Sequence, residues 1–221
     1  MTEPKGWFTG PSAGLAGATG VLRAADYAIR RLQEVGIRLT PNSRLARARA
    51  RVASAKGGRA GETADPLLAE ATRTVYELYF ITRAMGGTGT PSEDLLERWE
   101  HILGGPDLPG DETDSSSKAR NTQFELFVGA WLTAGGVPVR LEEPDLRMLY
   151  YGQELGVAVK RVRSRARFVR RACDGADQIE EHTAVGVVAI NVDHLLDELP
   201  QSQDTHVLWG SISMIVFRSM I

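Results

Sequence analysis

The sequence predicts an all-helical region over residues 1–104 and an α/β domain over residues 118–221, joined by a linker at 105–117. Three observations lead there. In the first part apolar residues recur at three- and four-residue intervals, the period of a helix face. The stretch from Gly104 to Lys118 is crowded with Gly, Pro, Ser and acidic residues, a composition that marks a connection. Beyond it, apolar residues fall into short runs bounded by turn residues, which is the mark of strands.

In the first part, Leu15, Val21, Leu22, Ala25, Ile29, Leu32 and Val35 share one helical face over 13–35, and Gly36 stops that helix. Pro41, Asn42 and Ser43 can cap a second helix over 44–56, whose basic stretch holds Arg44, Arg47, Arg49 and Arg51. A third helix is expected from Asp65 to Met85, striped by Leu67, Leu68, Ala71, Val75, Leu78 and Ile81. Thr90-Pro91-Ser92 opens a fourth that ends at Gly104. Nothing in these helices has the look of catalysis; they suit contact with a protein partner, self-association or substrate recognition.

The second part reads helix over 118–134, strands over 137–142, 146–151 and 155–162, a basic helix over 163–182, a buried strand over 185–192, and a further helix from Asp193 to Leu199. The Tyr151-Gly152 turn joins the second and third strands as a hairpin. On the basic helix, Ala166, Val169, Cys173, Ala176 and Ile179 are expected to face the sheet, while Arg167, Arg171, Asp174 and Gln178 share another face. The apolar tail over 207–217 reads as a buried helix.

Composition narrows the function. With 43% hydrophobic residues in 221, the chain can build a core. A net charge of −2 means that any attraction to nucleic acid comes from local patches. A lone cysteine, Cys173, excludes an internal disulfide and a cysteine-rich zinc site. The four histidines lack helix-ligand spacing, and the glycines form no phosphate loop. No apolar run reaches the roughly 18–20 residues that span a bilayer, and the opening residues carry no secretory apolar core. A cytoplasmic protein without membrane contact is expected.

The chemistry gathers in the second part. Asp145 follows Pro144 at the start of a strand, and Lys160 ends the next one. Strand alternation puts Ala158 and Lys160 on one face, Val157 and Val159 on the other. A carboxylate and an ammonium at one sheet edge suit metal-assisted phosphodiester cleavage, in which a divalent cation polarises a phosphoryl oxygen. Each residue also has a plainer reading: Pro-Asp is a common turn, and Lys160 is a strand-end lysine reaching solvent. From Lys160 to Arg171 the chain carries Arg161, Arg163, Arg165, Arg167, Arg170 and Arg171 with no acid between them. Such a run is either a solvated face or a surface for phosphates.

Pro144-Asp145 and Lys160, with Glu125 on the helix upstream, resemble the PD-(D/E)xK superfamily of restriction-endonuclease-like nucleases. The likeness covers about 118–195. It implies a mixed β-sheet flanked by helices, in the order α-β-β-β-α-β-α, preceded here by the helical region. It implies catalysis by Asp145, Glu125 and Lys160, with Mg²⁺ or Mn²⁺ held by Asp145 and Glu125, and phosphate contacts from Arg161, Arg163, Arg167 and Arg171. Gln178 resembles a helix glutamine that accompanies the motif. One position departs. The superfamily usually carries an acid two residues before its lysine, and here that residue is Ala158. The resemblance allows a displaced acid from the basic helix, and Asp174 is in the plausible region; a carboxylate at 158 itself would be expected to join Asp145. The expected function is a Mg²⁺-dependent nuclease or nuclease-like protein acting on DNA, in preference to RNA, in defence or repair. The alternatives are a catalytically silent module of the same fold that binds nucleic acid or a protein partner, and a helical interaction protein whose second half merely looks nuclease-like.

Overall fold

The computed structural model describes residues 17–55, 65–86, 90–108, 111–113 and 117–192, together with the backbone of 212–217. The chain divides into two compact units, Met1–Gln123 and Phe124–Ile221.

Among its described residues the first unit holds α1 (Gly17–Glu34), α2 (Arg44–Ala55), α3 (Pro66–Met85) and α4 (Glu93–Ile102). Their ends follow the caps in the sequence. Asp65 accepts from the Leu67 N–H at 2.9 Å with Pro66 opening α3, and Ser92 accepts from the Leu95 N–H at 3.3 Å. The apolar stripes converge, so that Leu32, Leu45, Leu78, Ile81, Trp99 and Ile102 are fully buried.

The arginines of α2 turn inward or to neighbours. Arg44 is buried, Arg47 meets Asp107 at 2.8 Å, and Arg49 meets Asp26 at 2.6 Å. Residues expected to be a free linker are tied down. Glu112 is buried against Arg120 at 2.7 Å, and Arg120 also pairs with Glu70 and donates to the carbonyls of Pro106 (3.3 Å) and Asp107 (2.6 Å). Arg120 therefore holds two carboxylates of its own unit.

The helix α5 (Lys118–Ala134) leads into β1 (Val139–Arg140), β2 (Leu146–Tyr150), β3 (Gln153–Arg161), α6 (Arg165–His182), β4 (Gly186–Asn191) and β5 (Ile212–Phe217). One mixed sheet runs in the order β1-β2-β3-β4-β5; β3 and β4 are parallel and the other neighbours antiparallel. Tyr151 (φ 48°) and Gly152 (φ 77°) form the two-residue turn of the β2–β3 hairpin, whose backbone twist matches that of the strands. β1 is shorter than its apolar run, because Pro138 has no N–H to pair and Glu142-Glu143-Pro144 lead away from the ladder.

Alternation sends the two faces of the sheet to two helices. Leu146, Val157 and Ala189 pack with Phe124 and Val128 of α5. Ala158, Val162, Val188 and Ile190 pack with Ala172 and Ile179 of α6, flanked by Phe168. The central strands are thus covered on both sides, as a parallel βαβ unit requires.

Four expectations fail here. The face of α6 against the sheet is Phe168, Ala172, Gly175 and Ile179, while Val169 is 70% exposed and Ala166 and Cys173 are exposed. The reason is distance. A Cβ on Gly175 would stand 2.7 Å from Val188 Cγ1 and 3.5 Å from Ala158 Cβ, so only small residues let the helix lie this close. The fourth failure is the tail read as a buried helix: residues 212–217 form β5, antiparallel to β4. A short apolar run does not distinguish the two by periodicity, and the unpaired edge of β4 decides for a strand. The helix expected at 193–199 lies outside the described residues.

Candidate functional site

The site grows from the hairpin register. Leu146 faces Val157, so one step further Asp145 comes opposite Ala158, on the side of the sheet that α6 covers. Pro144 is seated there because Gly156 leaves room for its ring; a Cβ at Gly156 would lie 2.8 Å from Pro144 Cγ. Asp145 Oδ2 accepts from the Val159 N–H at 2.6 Å and from Lys160 Nζ at 3.1 Å. Gln178, about one turn before the C-terminal end of α6, closes the group. Its Oε1 accepts from Lys160 Nζ, and its Nε2 faces Glu143 Oε2 at 3.0 Å, Asp145 Oδ1 at 3.5 Å and the Pro144 carbonyl. Lys160 and Asp145 are mostly buried, with 15% and 23% of their side chains exposed.

Of the residues expected at the site, Asp145, Lys160 and Gln178 are brought together. Glu125 is half-buried on α5, the helix on the opposite face of the sheet. Asp174 pairs with Arg171 at 3.5 Å on the outer side of α6. Ala158 does share the face of Lys160, but it is fully buried in the cluster beneath α6. A carboxylate there would lie in the core and not in an open pocket.

Glu143 and His182 are the residues that sequence reasoning missed. Glu143 joins the group through Gln178, and His182 Nε2 lies 3.9 Å from Glu143 Oε2. The available signal was the acidic run Glu142-Glu143-Pro144-Asp145, read only for its last member.

Among the described residues no three His, Cys, Asp or Glu side chains are grouped as a metal cage. Mg²⁺ does not need one. It keeps several waters and is commonly bound by one or two carboxylates together with substrate phosphates. The donors here are hard oxygens, two of them carboxylate, converging on a single amide nitrogen, and that chemistry fits the ion.

The basic run follows Lys160 in the chain and occupies the first two turns of α6. Arg165, Arg167, Arg170 and Arg171 are exposed on α6, whereas Arg161 and Arg163 are half-buried and engaged. Arg171 is offset by Asp174, so Arg165, Arg167 and Arg170 carry the exposed charge. Comparison with protein-family models, with curated proteins and with solved structures gives no match.

Proposed function

We propose that the second unit is a metal-dependent nuclease domain that cleaves DNA phosphodiesters, with Asp145 holding Mg²⁺ or Mn²⁺ and Lys160 acting on the phosphate. The observation that carries this reading is the meeting of Asp145 Oδ2 and Lys160 Nζ at 3.1 Å on the α6 side of a mixed sheet, locked by Gln178. The order α5-β1-β2-β3-α6-β4, which is the order that the resemblance to restriction-endonuclease-like nucleases implies, supports it further. A bound divalent ion would polarise the phosphoryl oxygen and lower the pKa of a water. Lys160 would stabilise the charge that develops on the phosphate, while the Val159 N–H and Gln178 keep the Asp145 carboxylate in place. Arg165, Arg167 and Arg170 would hold the flanking backbone by charge, without reading sequence.

A second reading, a catalytically silent module of the same fold, is favoured by one observation: Ala158 is sealed in the core, so the strand itself offers no second acid. Plasmid nicking by the full chain with Mg²⁺ or Mn²⁺ separates the two. The nuclease reading expects nicking that stops with chelator and is lost in Asp145→Asn; nicking that survives Asp145→Asn sinks it, and binding of DNA without nicking supports the silent module.

A further inference from the structure

We propose that the outer face of α6 is the contact surface for a second copy of this chain, packed antiparallel about a two-fold axis at Cys173. The dimer does not depend on the nuclease reading.

The residues of α6 turned away from the sheet form one seam. Phe168, Ala172, Gly175 and Ile179 lie against the strands. The opposite side carries Ala166, Arg170, Cys173, Asp177 and Glu180, all exposed, in alternating steps of four and three residues. That is the spacing by which two helices pack along a shared line. Val169 flanks the seam and is 70% exposed.

Charge decides what covers it. The exposed cations of α6 stand in its first half, and the exposed acids Asp177, Glu180 and Glu181 in its second. Within one helix that order is unfavourable. It puts arginines at the positive N-terminal end and glutamates at the negative C-terminal end. It also makes neighbours of like charges, Arg167 with Arg171 and Asp177 with Glu181. Arg165, Arg167, Arg170, Asp177 and Glu180 make no ion pair among the described residues.

A second α6 running the other way corrects the whole pattern. Residues equally far from Cys173 on either side then come opposite one another. Arg170 meets Asp177 of the second copy, Arg165 meets Glu180 on one flank, and Arg167 meets Glu181 on the other. Val169 falls against Ala176 of the second copy, and the small Ala166 and Cys173 let the helices approach. Each pairing occurs twice, as a two-fold axis requires. DNA satisfies only the basic half of this face and is repelled by the acidic half, whereas a second copy satisfies both. The same arginines hold DNA in the nuclease reading, so dimer and DNA compete for one helix; that competition alone rests on the nuclease reading. One helix face is small beside a standard interface of roughly 800 Å² per partner. The dimer is therefore expected to depend on concentration and to weaken with salt.

The test is sedimentation equilibrium of the full chain at low and high salt. In parallel, Cys173, the chain's lone cysteine, is crosslinked with a short bis-maleimide. The variants are Arg170→Glu, Asp177→Arg and the two together, each checked for an unchanged thermal midpoint. The parent is expected to dimerise at low salt and to crosslink. Each single variant is expected to weaken the dimer by about tenfold or more and to lose the crosslink, because it sets like charges across the axis. The double variant restores opposite charges in reverse order and is expected to recover both. A parent that stays monomeric at low salt overturns the proposal. So does a dimer indifferent to the single variants, or a double variant no more dimeric than they are. A dimer that passes these tests, but that a short DNA duplex does not dissociate, keeps the interface and removes these arginines from the DNA surface.

Discussion

Arg120 in the first unit and Lys160 in the second are both cations held by carboxylates and by further polar groups, and they are held in different ways. The Arg120 side chain is 7% exposed and lies between Glu70 and Glu112, the latter with no exposed side-chain surface. Its guanidinium also binds two backbone carbonyls. Lys160 has one carboxylate, shared with a backbone N–H, and one neutral amide. Two fixed anions around a planar fork make a closed structural tie. One anion, an amide and a solvent-facing Glu143 leave the lysine group with acceptors to spare. The first arrangement is closed around its cation; the second leaves acceptors that face solvent.

The largest expected effect is on the tie. Arg120→Ala leaves Glu112 buried without its partner and should destabilise the first unit by about 3–5 kcal/mol, read from urea or thermal unfolding. A change within experimental error would remove the contrast. Next comes Ala158→Glu, which puts a carboxylate into the cluster of Val188, Ile190 and Ala172. It should cost the second unit about 3 kcal/mol and raise no cleavage; a stable variant with stronger Mn²⁺ binding would mean that α6 yields to open a pocket there.

Lys160→Met sharpens the comparison most directly. Its loss of stability should be only about 1–2 kcal/mol, since Asp145 keeps the Val159 N–H and partial access to water. Cleavage, in contrast, should fall by about a hundredfold or more if the lysine stabilises developing charge. A loss as large as that of Arg120→Ala would class both cations as structural. The smallest effect on the fold is expected from replacing Arg165, Arg167 and Arg170 together by Ala. Stability should stay within about 0.5 kcal/mol, while the slope of log DNA affinity against log salt should fall by about 2–3, close to one per lost phosphate contact. An unchanged slope would move the DNA surface elsewhere.

Much of the candidate site was legible because it depends on local rules. The Tyr151-Gly152 turn sets the hairpin register, and alternation then carries Asp145 and Lys160 to one side. Gln178 was reached only through the resemblance to the nuclease motif, since no local rule sets where a helix lies on a sheet. Other features depended on partners far away in sequence. Val169 and Cys173 were better core candidates than Ala172 and Gly175 by hydrophobicity, yet the small pair lies against the sheet, because Val188 and Ala158 approach too closely for anything larger. Arg120 shows no partner in its own stretch of sequence, and only the fold brings Glu70 to it from fifty residues away.

The sequence by itself determined where α1 to α6 lie to within a few residues, that the second part is built on a hairpin followed by a helix and a buried strand, and which side of β3 carries Lys160. Caps, turn residues and periodicity act over a few residues, so no distant contact is needed to read them. Tertiary structure alone decided that Ala158 is a packing residue, that 212–217 pairs with β4 as a strand, and that Glu143 joins Asp145 at Gln178. Those outcomes turn on close approach between a helix and a sheet, and on the open edge of a strand. Both are set by the shape of surfaces that exist only once the chain has folded.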